Sequence, residues 1–286
     1  LLNCFLTLVN PGANVLLPEP YFPLYGPDVL IAGGEAKYYP CLFENEFVPT
    51  IETLESLVDE NTVAILYNFP SNPTGATLTP NQRDDLLDFA KRHQLWIITD
   101  EVYDRIVYDV EHVSFLGTGY NRTLMINSFS KTFAMTGWRI GYICSPNIEA
   151  MSQIIKMQYY ITACSNDAMQ YAVLTAFDEA STYPEEMAKE FQARRDLICS
   201  RLNSMPGVSC HIPKGAFYVF PKVEVPGMNS QELAIELLKG GVLTSPGSAF
   251  GESGEGHLRF AYTVSREDIS RGMDKVESVL KRLRGD

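Results

Sequence analysis

Three clusters of polar residues each follow an apolar, strand-like run, and together they carry the groups of a reactive site. They are Asn68, Ser71 and Asn72 after residues 63–67, Asp100 and Tyr103 after residues 96–99, and Ser128, Ser130 and Lys131 after residues 123–127. Ligands of open parallel sheets bind beyond the carboxyl ends of the strands, so we expect the three clusters to face one crevice. A lysine, a carboxylate, a phenol and an amide in one crevice indicate binding or catalysis rather than packing.

The residue types in this crevice suit one aromatic cofactor. A lysine in a partly dry site has a lowered pKa and can form an imine, so Lys131 is the candidate nucleophile. Asp100 could hold a protonated ring nitrogen, while Ser128 and Ser130 lie at a predicted helix start, where phosphate binds. Arg139, eight residues after Lys131, adds a cation for the same phosphate. Pyridoxal 5′-phosphate (PLP) combines a pyridinium nitrogen, an aldehyde and a phosphate, and is therefore the predicted cofactor.

The elements that must position these residues alternate between strands and helices. Continuous apolar runs, typical of strands covered on both faces, predict strands at residues 15–17, 63–67, 96–99, 123–127 and 140–143. Between the second and third runs, Thr79, Pro80 and Gln82 form a capping box that starts a helix ending near His93. Strand, helix and strand in this order predict a βαβ unit and hence a parallel sheet.

The chain changes character after about Pro184. Thr182 and Glu185 predict a second capping box at the start of a long helix. Further strands and helices are predicted at residues 216–220, 258–262 and 231–239 and after residue 265. We therefore expect an α/β fold with two domains. A mostly parallel sheet with helices on both faces occupies residues 1–187, and a smaller C-terminal α+β domain occupies residues 188–286.

Composition and charge exclude several other classes of protein. With 286 residues, 45% hydrophobic and 20% charged, the chain has the composition of a folded globular protein. A net charge of −12 disfavours binding to nucleic acid phosphates. The cysteines form no CxxC pair and the histidines are scattered, so no metal site is predicted and free thiols indicate a reduced, cytoplasmic protein. No apolar run approaches the ~20 residues of a membrane span.

Five motifs carry a resemblance to a known family. They are SNPTG (71–75), TDEVY (99–103), SFSKTFAMTGWRIGY (128–142), PKGAFYVF (213–220) and GSAFGESGEGHLRFAY (247–262). In this order they resemble the fold-type I, class I/II PLP-dependent aminotransferases, and most closely the aspartate/aromatic subgroup. The resemblance implies an enzyme of amino-acid metabolism that moves an amino group between an L-amino acid and a 2-oxo acid in a ping-pong cycle.

The resemblance also implies catalytic and substrate-binding roles for particular residues. Lys131 matches the lysine that forms a Schiff base with PLP and then moves the substrate proton. Asp100 matches the carboxylate that keeps the pyridine nitrogen protonated. Tyr103 and Asn72 match the partners of the cofactor 3′-oxygen, which tune the pKa of the imine. Arg259, together with Asn72, matches the group that binds the substrate carboxylate and orients the Cα–H bond.

The remaining matches concern the rest of the cofactor. Ser128, Ser130 and Arg139 match the phosphate ligands of the family. Phe22, in the segment PEPYFPLY, matches the aromatic residue that stacks on the pyridine ring, and Tyr25 is expected close by. The resemblance further implies a homodimer, because the family's sites lie at a subunit interface. Complete members of the family have additional residues before the point that matches Leu1, so an N-terminally truncated member is expected.

Three alternatives stay open at this point. The same imine supports β- or γ-elimination in C–S lyases and aminocyclopropane carboxylate synthases of this fold. A truncated chain of the same family could be an inactive aminotransferase-like protein that holds no cofactor. A sensor domain of a transcriptional regulator is the third possibility, but the sequence contains no helix-turn-helix pattern or basic segment.

Overall fold

A six-stranded sheet is the largest element of the computed structural model, which describes residues 1–285. Its strands are β1 (Asn14–Glu19), β2 (Glu35–Pro40), β3 (Thr62–Asn68), β4 (Trp96–Asp100), β5 (Thr123–Ser128) and β6 (Gly141–Cys144). The spatial order is β2-β1-β3-β4-β5-β6, and all neighbours are parallel except β6, which runs antiparallel to β5. The predicted α/β class with a mostly parallel sheet is confirmed.

Strand β2 is the one member of this sheet that has no predicted run. Its sequence, EAKYYP, contains charged residues at Glu35 and Lys37 and has only one fully buried side chain, Tyr39. It lies at the edge of the sheet, where one side is free to face water. A criterion based on continuous apolar runs finds buried strands and therefore misses this one.

Helices cover both faces of the sheet. In the N-terminal part they are α1 (Leu2–Leu8), α2 (Tyr25–Ile31), α3 (Ile51–Leu57), α4 (Pro80–Arg92), α5 (Phe129–Thr132), α6 (Ile148–Thr162) and α7 (Asp167–Glu179). Successive strand side chains point to opposite faces. Leu16 and Ile65 accordingly pack in the cluster with α4, whereas Val15 and Leu66 pack in the cluster with α1 and α2. The predicted two-sided burial is confirmed.

The two predicted capping boxes have different outcomes. At α4, the Thr79 hydroxyl accepts from the Gln82 amide at 3.2 Å and the Gln82 side chain accepts from the Thr79 amide at 2.9 Å, as predicted. The long helix α8 (Tyr183–Asn203) is also present, but the capping box at Thr182 is wrong. Thr182 has helical dihedral angles (φ −86°, ψ −17°), whereas an N-cap side chain needs an extended backbone to reach the helix amides. Its hydroxyl instead donates to Glu186 at 3.2 Å.

The C-terminal part forms a second packed unit. After α8 it contains β7 (Val208–Ser209), β8 (Tyr218–Val219), β9 (Lys222–Val223), α9 (Ser230–Lys239), β10 (Ser245–Pro246), β11 (Leu258–Ala261) and α10 (Arg266–Arg284). Its core also includes Tyr103, Ile106 and Tyr108, which follow β4 in the large sheet. The C-terminal unit is therefore packed directly on the segment that leaves the end of β4. The boundary predicted between residues 187 and 188 falls inside α8 and stays a prediction.

Within residues 1–285, no helix combines the length and the apolar character needed to cross a lipid bilayer.

Candidate active site

The carboxyl ends of β3, β4 and β5 meet at a cavity of about 360 Å³. The predicted cofactor residues all line it, namely Phe22, Asn72, Asp100, Tyr103, Ser128, Ser130, Lys131 and Arg139. The strand register explains this convergence, since Asn68 at the end of β3 lies opposite Asp100 at the end of β4. A second cavity of about 370 Å³ lies between residues 46–48, 74–82 and 211–214, and the predicted site residues do not line it.

Asp100 is a buried carboxylate held by hydrogen bonds. The Tyr25 hydroxyl donates to its Oδ2 at 2.8 Å, and the Val102 amide donates to its Oδ1 at 3.4 Å. Burial raises the pKa of Asp100, and the two hydrogen bonds oppose that shift because they stabilise the charged form. A nearby cation would stabilise the charged form of this buried carboxylate, and the protonated nitrogen of a pyridine ring is such a cation.

Lys131 lies on the short helix α5, whose N-cap is Ser128. Burial lowers the pKa of Lys131, and the positive charges of Arg139 and Arg259 lower it further, while Asp100 acts in the opposite direction. A lowered pKa increases the neutral fraction of the amine at any given pH. The neutral amine is the form that attacks a carbonyl carbon, so the position favours imine chemistry.

The hydroxyls and the guanidinium predicted for a phosphate lie around the start of α5. Ser128 Oγ accepts from the Ser130 amide at 3.1 Å and donates to the Ile140 carbonyl oxygen at 3.1 Å. Arg139 has an exposed side chain that donates to the Thr136 carbonyl oxygen at 2.7 Å. Because the Ser128 hydroxyl donates its proton to the Ile140 carbonyl oxygen, it would present only a lone pair to a ligand. Arg139 has further N–H groups free to bind an anion.

Arg259 lies beside the cavity rather than in its wall. From β11 it donates to Asn72 Oδ1 at 2.9 Å and to Ser245 Oγ at 3.2 Å. Its guanidinium carbon is 4.7 Å from the ring centroids of both Tyr218 and Phe250. The hydrogen-bond partners are neutral, so the charge of Arg259 remains available for an anionic substrate group. Asn72 thus touches the arginine and also lines the cavity.

Two residues expected near the crevice without an assigned role, Asn68 and Tyr25, and one outside the predicted set, Tyr218, take part in this geometry. Asn68 donates to the Asp100 carbonyl oxygen at 3.1 Å and accepts from the Asn72 amide at 3.0 Å, which ties two site segments together. Tyr25 holds the Asp100 carboxylate, and the Tyr218 hydroxyl lies 3.1 Å from that of Tyr103. Asn68 belongs to one of the polar clusters predicted to face the crevice, and Tyr25 is expected there because it follows Phe22. Local sequence patterns carry no signal for the contact of Tyr25 with Asp100 or for that of Tyr218 with Tyr103.

These residues fit PLP by chemistry. The cavity combines a buried carboxylate for a ring nitrogen with an amine of lowered pKa for an aldehyde. The Ser130 hydroxyl and Arg139 are at hand as donors for a phosphate, and Phe22 supplies an aromatic wall, with its ring centroid 5.6 Å from that of Tyr25. Each functional group of the cofactor therefore has a matching group in the cavity.

Comparison with families and curated proteins gives a consistent result. The model of the family described as aminotransferase class I and II matches residues 1–276. Aromatic-amino-acid aminotransferase 2 of Thermococcus litoralis is 40% identical over 281 residues, which are 96% of this chain and 72% of that protein. Aspartate aminotransferase of Pyrococcus abyssi is 41% identical over 279 residues, which are 96% of this chain and 71% of that protein.

Solved structures agree with the sequence comparison. The aromatic aminotransferase from Pyrococcus horikoshii OT3 superposes with a TM-score of 0.94 at 39% identity, covering 98% of this chain and 76% of that one. The Thermus thermophilus aspartate aminotransferase solved with maleate has a TM-score of 0.93 at 31% identity and covers 98% of this chain and 73% of that one.

Proposed function

The chain belongs to the class I and II aminotransferases, which are PLP-dependent, and we propose that the cavity at the ends of β3, β4 and β5 is its active site. Lys131 is the residue that binds the cofactor covalently. The observation that carries the proposal is the meeting of two groups in one cavity, namely an amine whose pKa is lowered and the buried carboxylate of Asp100. Burying either charged group without a partner is unfavourable in free energy, and a cofactor with complementary groups would offset both penalties.

Bound PLP supplies an electron sink for the negative charge that develops at the substrate Cα. Asp100 keeps the ring nitrogen protonated, and its hydrogen bond from Tyr25 holds the carboxylate in place. Lys131 Nζ takes the proton from Cα and returns it to the cofactor side, and its lowered pKa increases the fraction of neutral amine that can accept that proton. Tyr103 and Asn72 line the side of the cavity that faces the C-terminal unit, and from there they would donate hydrogen bonds to the cofactor 3′-oxygen.

Arg259 binds the substrate α-carboxylate in this proposal. A guanidinium binds a carboxylate through two parallel N–H groups, so it fixes the orientation of the substrate as well as its position. Asn72 accepts from one N–H at 2.9 Å and thereby holds the arginine against the cavity. Held in this way, the Cα–H bond keeps one orientation for proton transfer.

The names of the relatives support two classes of donor substrate in this proposal. One relative is named for aromatic amino acids and another for aspartate, so both donor types are candidates. The assay uses 2-oxoglutarate as the acceptor. Transfer predicts a new amino acid and a new 2-oxo acid in equal amounts. Pyruvate and ammonia without a new amino acid would indicate elimination instead, and neither product would indicate an inactive protein.

A spectroscopic experiment tests the site. Purified protein mixed with PLP is expected to show an absorption band near the edge of the visible range, and Lys131→Ala is expected to abolish it. Lys156→Ala, on the exposed face of α6, is the matched control and should leave the band unchanged. A band that survives in Lys131→Ala, or a spectrum of free PLP with the unaltered protein, would overturn the proposal.

The proposal extends to a homodimer. Large apolar side chains are exposed on α6 and α7 and beside α5, namely Trp138, Tyr159, Tyr160, Tyr171, Leu174 and Phe177. Phe177 packs on Phe129 and Phe133 at centroid distances of 5.7 and 5.5 Å, so this surface adjoins the Lys131 helix. Exposed apolar surface of this kind is typical of a protein interface. Analytical ultracentrifugation should give twice the monomer mass, and a stable monomer at high concentration would contradict it.

A cytoplasmic location is part of the same proposal. The six cysteines, all within residues 1–285, are free, and four of them are buried. Free thiols persist in a reducing compartment. Fractionation of cells should recover the protein with cytoplasmic markers.

A further inference from the structure

Tyr218 touches both functional halves of the candidate site. It is buried in β8, and its hydroxyl oxygen lies 3.1 Å from the hydroxyl oxygen of Tyr103. Its ring centroid lies 4.7 Å from the guanidinium carbon of Arg259. Tyr103 belongs to the cofactor side of the cavity and Arg259 to the substrate side. One side chain therefore bridges the two groups that must act together.

The surrounding backbone fixes Tyr218 in this position. Tyr218 lies opposite Ala261 in the antiparallel pair of β8 and β11, the strand that carries Arg259. The segment just before it is held by the Ala216 amide, which donates to the Ile106 carbonyl oxygen at 2.9 Å. This hydrogen bond joins the segment to the chain that leaves β4, close to Tyr103. Strand pairing therefore places Tyr218 and Arg259, and the hydrogen bond between Ala216 and Ile106 joins the same segment to the turn that carries Tyr103.

The Tyr103 hydroxyl has one proton, which it can give to only one acceptor. If the Tyr218 hydroxyl donates to Tyr103, the Tyr103 proton remains free for an acceptor in the cavity. Arg259 favours this direction, because a cation over the Tyr218 ring draws electron density from the phenol and makes its hydroxyl a better donor. Hydrogen bonds in such a chain strengthen one another.

We propose that Tyr218 is a positioning residue that aims the Tyr103 proton into the cavity through its hydroxyl and holds Arg259 through its ring. This inference rests on the proposed function, since it gives the Tyr103 proton an acceptor on the cofactor. The Tyr218 side chain makes two separate contributions. The hydroxyl acts on the cofactor side, and the ring acts on the substrate side.

The test uses PLP-loaded protein and two substitutions at the same position. Tyr218→Phe removes the hydroxyl and keeps the ring. The pH midpoint of the visible band should rise by about 0.5 unit, because a weaker hydrogen bond from Tyr103 lets the imine keep its proton to higher pH; this shift equals ~0.7 kcal/mol. The KM for the amino acid should change less than about twofold. Tyr218→Leu should shift the midpoint equally and also raise KM about fivefold, a loss typical of a cation–π contact.

Tyr262→Phe is the matched control. Tyr262 is also buried in the C-terminal core, and its hydroxyl donates to the Ala216 carbonyl oxygen at 3.2 Å without touching Tyr103 or Arg259. It should lower the melting temperature as Tyr218→Phe does and leave the midpoint unchanged. In a Tyr103→Phe background, Tyr218→Phe should cause no further shift, since the two hydroxyls act in one chain.

The possible failures are distinguishable. An unaltered midpoint in Tyr218→Phe, or an equal shift in Tyr262→Phe, overturns the role of Tyr218 and leaves the proposed function intact. A shift of full size in the Tyr103→Phe background also overturns it. If the unaltered protein shows no band that depends on Lys131, the proposed function fails and this inference fails with it. If Tyr218→Phe does not fold, Tyr103→Phe must still raise the midpoint, and its failure to do so overturns the inference.

Discussion

Glu19 links the segment that carries Phe22 to the turn at residues 252–253, and its removal should destabilise the folded protein. The Glu19 carboxylate accepts from the Glu252 amide at 3.1 Å, the Ser253 amide at 3.2 Å and the Ser253 hydroxyl at 2.6 Å. These contacts join residues more than 230 positions apart in the chain. The Tyr21 amide also donates to the Phe250 carbonyl oxygen at 2.9 Å, so Glu19 adds three side-chain contacts to a backbone bond between the same two segments.

The magnitude follows from the three bonds. A hydrogen bond to a charged group contributes about 1.5–3 kcal/mol where it is buried, and less where water competes. Glu19 is partly buried, so Glu19→Ala should lower the free energy of unfolding by about 2–4 kcal/mol in all. At ~2 °C per kcal/mol, the melting temperature of the cofactor-free protein should fall by about 4–8 °C.

Urea unfolding and thermal melting of the cofactor-free protein measure this loss. Glu252→Ala is the matched control, because it removes an exposed carboxylate from the same turn and keeps the amide that donates to Glu19. It should change the free energy of unfolding by less than about 0.5 kcal/mol. Equal effects of the two substitutions, or a loss below about 0.5 kcal/mol for Glu19→Ala, would refute the argument.

Three further outcomes are expected. Gly75→Ala should destabilise the protein by at least ~2 kcal/mol in urea unfolding, because Gly75 has φ +72° and an added Cβ would lie 2.8 Å from the Gly215 oxygen; full stability would contradict this. Competitive acetylation of cofactor-free protein, read by mass spectrometry, should give Lys131 a pH midpoint below the usual ~10.4, since burial lowers its pKa. A midpoint at or above that value would contradict a lowered pKa for Lys131. Tyr25→Phe should raise the pKa of Asp100 further, since it removes a hydrogen bond to the charged form. The cofactor-free protein should then lose stability over a wider pH interval, starting at ~4, than the unaltered protein does. A narrower pH interval would refute this.

The strand ends show how far local sequence patterns reach. Asp100 and Lys131 are predictable because each follows a buried strand, and parallel strands bring their carboxyl ends to one edge. The helix at Thr79 is predictable because a capping box is a contact between residues three positions apart. The capping box at Thr182 fails for the reason that the backbone of that residue is helical, which the residue types do not reveal.

Helices α6 and α7 mark the opposite case. Both are capped by asparagine, Asn147 and Asn166, yet many of their apolar side chains face outward. Neither asparagine is followed three residues later by Glu or Gln, since Ala150 and Met169 occupy those positions, so the capping-box pattern that marks α4 is absent. Strand β2 escapes prediction for a related reason, since an edge strand mixes charged and apolar residues.

The amino-acid sequence by itself determined the type of sheet, the cofactor chemistry and the family, because these depend on residue types at strand ends and on motifs in a fixed order. Tertiary structure alone decided which contacts the distant groups of the site make with one another. Tyr25 reaches Asp100 over 75 positions, Tyr218 reaches Tyr103 over 115, and Arg259 reaches Asn72 over 187. Such contacts arise when the C-terminal unit packs on the end of the sheet, and the geometry of that packing depends on the whole core rather than on any local spacing.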